Sequence, residues 1–190
     1  MISIDKTLLL EDGMPPSDLL LALLNEQRRL RDTRLDALKR YFDGDHAILG
    51  RARLSGLPNN RLAHALPGYI AAIAAGYLVG APVQYTMQEH PAAFAQLLAA
   101  MRRSDTQSID LELAVDAAVY GKAVELCYAD HQAKPRVAQA DPRHAFVVYD
   151  DTVEHRPLLG ITVSDVLDKQ LKKCRERITV CTDRLVRNEE

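Results

Sequence analysis

The apolar positions of this chain change period once. From about residue 17 to 120 they recur every three to four places, the spacing of one face of a helix; from about 122 they alternate, the spacing of one face of a sheet. The first predicted helix runs from Ser17 to Tyr41 behind a Pro15-Pro16-Ser17 cap, with Leu20, Leu23, Leu24, Leu30 and Leu38 as an incomplete stripe. Residues 1–16 read as an extended lead-in. Pro91 suits a helix start, and Phe94, Leu97, Leu98 and Met101 carry an amphipathic helix to about Arg103. Another spans about Gln107–Tyr120, with Ile109, Leu113, Ala117 and Tyr120 inward and Gly121 at its end.

Between them lies a stretch with no Asp, Glu, Lys or Arg from Arg61 to Glu89. Pro58-Asn59-Asn60 reads as a turn and helix cap, and Gly80-Ala81-Pro82 as the exit. Pro67 is expected to kink this helix or to start its second part. Gly68, Ala72, Gly76 and Gly80 recur every four residues, a stripe with almost no side chain, and Tyr69, Ile73 and Tyr77 form the next one. Three readings fit: a buried Ala-rich core helix, a membrane span over Ala65–Val83, or a close-packed helix at a subunit or layer contact. On the close-packing reading Gly76→Leu overpacks a contact and destabilises.

The alternating part predicts strands at Lys122–Ala129, Arg136–Gln139, Phe146–Tyr149, Leu158–Val163 and Ile178–Thr182, separated by polar turns at Asp130–Lys134, Asp141–Arg143 and Asp150-Asp151. Val166, Leu167, Leu171 and Cys174 suit a helix over 164–176, and a polar hairpin loop would look similar. Helices first and antiparallel strands second make an α+β chain. Its linear division is a lead-in at 1–16, a helical part at 17–121 with about four helices, and a small antiparallel β part at 122–190.

Composition narrows the function. An apolar fraction of 47% supports a real core, and a formal charge of −2 argues against a general binder of nucleic acid or anionic membrane. Between Asn25 and Arg40 six basic residues meet three acids, either a solvated face of helical ion pairs or a patch for an acidic partner. Three cysteines without a CxxC pair fit a reducing compartment, and the acidic-flanked N-terminus does not read as a secretory signal.

Motifs for chemistry are sparse. The chain has no Walker loop, GxGxxG, GxSxG or HExxH. Asp43, Asp45 and His46 lack the carboxylate spacing of a calcium loop. Cys127 reads as a small strand hydrophobe. The sharpest enzymatic alternative is a small metal-dependent hydrolase in which the hairpin at Asp150-Asp151 brings His144, Asp151 and His155 together near Glu154. The expectation from the residues is otherwise no catalytic, cofactor-binding or metal-binding site.

Two ordered sets of residues are more specific than their physics. One is Tyr41-Phe42-Asp43-Gly44-Asp45-His46-Ala47-Ile48-Leu49, then Leu57-Pro58-Asn59-Asn60-Arg61, then Gly76-Tyr77-Leu78-Val79-Gly80-Ala81-Pro82-Val83-Gln84-Tyr85. The other is Asp116-Ala117-Ala118-Val119-Tyr120-Gly121-Lys122-Ala123 with Glu125-Leu126, then Asp141-Pro142-Arg143, then Phe146-Val147-Val148-Tyr149-Asp150-Asp151-Thr152-Val153-Glu154. In this order and spacing they resemble the N-terminal part of tailed-phage portal proteins, the family typified by the portal of phage SPP1, over residues 38–163 and more loosely 177–182.

That resemblance implies a structural protein with no enzymatic activity. It implies a homo-oligomeric ring, usually dodecameric, at the portal vertex of the virion capsid, assembled in the bacterial host cytoplasm. Such a ring serves DNA packaging, head–tail connection and genome ejection. The implied partners are other portal subunits, scaffolding protein, major capsid protein, terminase and a head-completion protein. DNA passes through the full-length ring; no direct DNA site is expected in these residues, and no membrane or cofactor. The portion present is similar to the portal wing. The chain is expected to be an N-terminal fragment or a truncated, prophage-type form ending before the stem and clip, monomeric or weakly oligomeric by itself.

Overall fold

The computed structural model describes residues 2–52, 58–167, 174–182 and 186–189. The chain is an α+β mixture, helices followed by sheet. Its contacts cluster into two compact units, Met1–Arg34 with Asp141–Glu190, and Leu35–Ala140.

The first unit is a helix on a sheet. Helix α1 (Ser17–Leu30) buries Leu20, Leu23, Leu24 and Gln27. The sheet has the order β1-β4-β5-β6-β7, built from β1 (Ile2–Ile4), β4 (Ala145–Asp150), β5 (Pro157–Leu167), β6 (Cys174–Cys181) and β7 (Val186–Glu189). Its pairs are antiparallel except β1 on β4, which is parallel with Ile2 opposite Val148. The lead-in is therefore not extended throughout: it gives a strand, a 3₁₀ turn at Lys6–Leu8 and a core residue, Met14. Met14, the three α1 leucines, Phe146, Val148, Leu159, Ile161 and Val180 form one buried cluster. Burying apolar surface between one helix face and one sheet face is what holds this unit.

Strand pairing overrides local spacing at the end of β5. Ser164–Leu167 extend β5 and pair with Cys174–Arg177, so the helix expected over 164–176 does not form where the chain is described. The hairpin alternative holds, because each residue there gains a ladder partner that a short helix would not offer. Leu171 lies outside the described residues.

The second unit is helical with one hairpin. Its elements are α2 (Asp36–Phe42), α3 (Leu66–Val79), α4 (Pro91–Ser104), α5 (Thr106–Tyr120), β2 (Val124–Ala129) and β3 (Pro135–Ala140). A π-helical turn at Arg31–Leu35 leads into α2. The β2–β3 hairpin is a separate two-stranded sheet, closed by Asp130, whose Oδ1 accepts from the Gln132 and Lys134 amides at 2.9 and 3.0 Å. Gly121 caps α5 at φ 73, a left-handed conformation that costs glycine little. Along α5 the buried positions are Ala114 and Tyr120; Ala117, expected inward, is exposed.

Helix α3 begins later than Asn59-Asn60 suggests. Residues 58–65 are not helical, and Pro67 sits in the first turn. A proline there can start a helix, but a helix could not run through it without losing a hydrogen bond and striking the previous turn. Asn59 Nδ2 instead donates to the Arg51 carbonyl at 3.2 Å, and Arg61 Nη1 donates to that of Leu49 at 2.9 Å. At the far end Gly80 stays right-handed at φ −66, so the exit is not the left-handed cap expected.

Candidate assembly surface

The hairpin residues with chemical potential do not converge. His144 precedes β4, while Asp151 and His155 lie in the turn after it. Six strand residues at about 3.3 Å each place the two ends about 20 Å apart. The His144 carbonyl accepts from Val163 N at 2.8 Å, and the Asp150 amide donates to Arg156 O at 2.9 Å, one bond at each end of the β4–β5 pair. The hydrolase alternative fails on this geometry. The Asp43–His46 turn is likewise structural: Asp43 takes the Lys39 ammonium, and His46 packs edge-on to Tyr41 at 4.4 Å. Among the described residues no group of three His, Cys, Asp or Glu side chains could hold a metal ion. The Cys127 thiol is pushed up by burial and by Glu125, away from a reactive thiolate.

One member of that hairpin has a clear structural role. The Asp150 carboxylate accepts from Thr152 Oγ1 at 2.7 Å and from the Arg156 amide at 2.8 Å. The Thr152 hydroxyl foremost, then the Arg156 and Thr152 amides against some desolvation, hold it below the usual carboxylate range. A group with a depressed folded pKa stabilises the fold above its unfolded value and loses that contribution as pH falls through the folded one. The melting temperature is therefore expected to fall below about pH 4, and less steeply for Asp150→Asn. Equal slopes for the two proteins would remove the carboxylate from this role. Asp130 and Asp141 are also lowered, so the variant should keep a residual slope.

The basic residues of α1 and α2 are mostly paired. Arg29 bonds Glu26 at 2.6 Å, Arg31 bonds Asp32 at 3.0 Å, and Arg28 meets Glu176. Exposed pairs of this kind contribute about 0–1 kcal/mol each. They make this face a solvated ion-pair surface.

The unusual surface is on α3. Leu-Pro-Gly-Tyr-Ile-Ala-Ala-Ile-Ala-Ala-Gly-Tyr-Leu-Val is apolar on every side. One side packs on α5 and α2, through Gly68, Ala71, Ala75 and Val79, all buried or half-buried. At Gly68 an added Cβ would lie 3.5 Å from the Phe42 carbonyl, so glycine permits that approach. The crowded stripe is therefore one step round the helix from the one expected. Ala72 and Gly76 are exposed, and a Cβ on Gly76 would meet nothing within 4 Å. Both stripes are made of small residues, so spacing alone did not choose between them.

Opposite the buried stripe, Leu66, Tyr69, Ile70, Ile73 and Tyr77 follow the i, i+3, i+4, i+7 pattern of a single helix face. They are exposed, Ile73 at 54% and Tyr77 at 95%. Beside Ile70 an apolar hollow of about 330 Å³ is lined by Leu38, Tyr41, Phe42 and Pro67 among others. Scattered exposed leucines are ordinary, but a continuous apolar face of this size marks a contact surface. No described helix is long and apolar enough to cross a membrane.

Residues 22–188 match the family model described as phage portal protein, SPP1 Gp6-like. Among curated proteins none matches the chain.

Proposed function

We propose a role from one premise: this chain belongs to the phage portal protein family, SPP1 Gp6-like. The family is structural, and the role of this chain is structural rather than catalytic. It is a subunit of the ring at the capsid portal vertex, the ring through which DNA is packaged and ejected and on which the head–tail connection is built. The helical segment 17–121 and the strand-rich segment 122–190 both belong to the wing of such a subunit. Its partners are further copies of itself and the terminase, scaffolding, major capsid and head-completion proteins of the same phage.

The observation that carries this reading is the match over residues 22–188, almost the whole chain. A second supports it: the helix α3 carries a broad apolar face and no charge, which suits packing against other protein. Negative-stain imaging and native mass spectrometry of a full-length form of this subunit are expected to show rings of constant subunit number. A full-length form that stays strictly monomeric at every concentration would sink the ring role. Terminase and capsid genes beside its own would support the vertex role independently.

A further inference from the structure

We infer that the outer face of α3 is the surface through which one copy of this chain joins the next, an inference that rests on the ring-subunit reading above. The occupant is a second copy of this chain, and three observations select it.

The first is area. At their exposures Leu66, Tyr69, Ile70, Ile73 and Tyr77 leave on the order of 700 Å² of side chain to solvent. Each partner in a standard-size protein interface contributes about 800 Å². Buried in full, the face would supply most of one partner's share of such a contact.

The second is charge. From Leu62 to Gln88 the chain has no Asp, Glu, Lys or Arg. A nucleic acid or an acidic peptide would need cations here. A helix that lies on a lipid surface needs a polar face rich in Lys and Arg opposite its apolar one. Helix α3 has an alanine-packed contact with α5 there instead. What remains is an uncharged protein surface.

The third is shape. The same unit offers both a ridge and a hollow. Tyr77 stands 95% exposed on α3, and the cavity of about 330 Å³ next to Ile70 is apolar and open. The two adjoin, since Ile70 belongs to the exposed face and also lines the hollow, so an apolar side chain protruding from one copy has an apolar recess to enter on another. Aromatic side chains seated in apolar pockets are where interface energy concentrates.

The test is sedimentation of this chain from low to high micromolar concentration, beside Ile73→Glu and Tyr77→Glu. Both positions are exposed and glutamate is a good helix former, so the dilute monomer of each variant should melt as the parent does. The parent is expected to associate with rising concentration, and each variant to associate at least tenfold more weakly. Variants that associate like the parent would overturn the α3 contact and leave the ring role standing on some other surface. A parent that never associates would overturn the α3 contact, and imaging of the full-length form decides the ring role separately. A parent that forms a closed dimer, lost in the variants, would uphold the contact and sink the ring. A monomeric parent that sediments with phosphatidylcholine–phosphatidylglycerol vesicles would overturn the proposal in favour of a lipid occupant.

Discussion

Ile161→Ala is expected to lower the stability of the helix-on-sheet unit by about 3–4 kcal/mol, in the middle of the range for buried isoleucine. Ile161 is fully buried on β5. Its neighbours in register are Phe146 on β4 and Val180 on β6. All three are buried in the cluster that also holds Leu20, Leu23 and Leu24 of α1. Removing three carbons forfeits roughly 2.4 kcal/mol of transfer free energy at about 0.8 per methylene. The remainder is the cavity left in the middle of a three-strand row, which flanking strands held by hydrogen bonds cannot close.

Protection of the β4 and β5 amides against hydrogen exchange reads this unit alone, which matters because the chain clusters into two units. Where Ile161→Ala does not fold, Ile161→Val gives the measurable step, about 0.5–1.5 kcal/mol. Val153→Ala is the control. Val153 is 98% exposed in the turn that follows β4, so its loss should stay within about 0.5 kcal/mol. A loss below about 1 kcal/mol for Ile161→Ala would mean that α1 does not cover the sheet.

What could be read from the chain was local. The alternation of Phe146–Tyr149 and Leu158–Val163 and the acidic turn between them mark a hairpin without any knowledge of its surroundings. The same holds for Pro91 at the start of α4 and Gly121 at the end of α5. What could not be read depends on distant residues. Ile2–Ile4 becomes a strand because Val148–Asp150 accepts it in parallel. Ser164–Leu167 becomes strand because Cys174–Arg177 lies opposite, against a spacing of apolar residues that suits a helix. Asn59 is a good cap by type, yet its amide is engaged with the Arg51 carbonyl.

The contact surface was legible in the same uneven way. A stretch of 27 uncharged residues, Leu62–Gln88, points to burial or contact whatever its fold. Which side of α3 is buried did not follow. When every side of a helix is apolar, no periodic contrast distinguishes the face toward its own core from the face toward a partner. The hairpin histidines failed for a simpler reason, since a strand of six residues separates sequence neighbours that a tight turn alone would have joined.

Neighbouring substitutions on α3 should therefore have opposite effects in dilute solution, where copies do not meet. Ala75 is 1% exposed, and its side of the helix packs on α5, whose buried residues include Ala114. A helix contact with alanine buried on each side has little slack for three more carbons, so Ala75→Leu must separate the helices or force a poor rotamer. The expected loss is about 1–3 kcal/mol, at the upper end because both helix backbones must move. Gly76 follows directly, yet a side chain there would enter open space. Gly76→Leu removes the backbone freedom of a mid-helix glycine and should leave the monomer unchanged or up to about 1 kcal/mol more stable. Denaturant midpoints of the two variants at low concentration, with equal slopes, measure the difference. If Gly76→Leu costs more than Ala75→Leu, the helix presents the glycine side to α5, and the outward face of Tyr69, Ile73 and Tyr77 is lost with it.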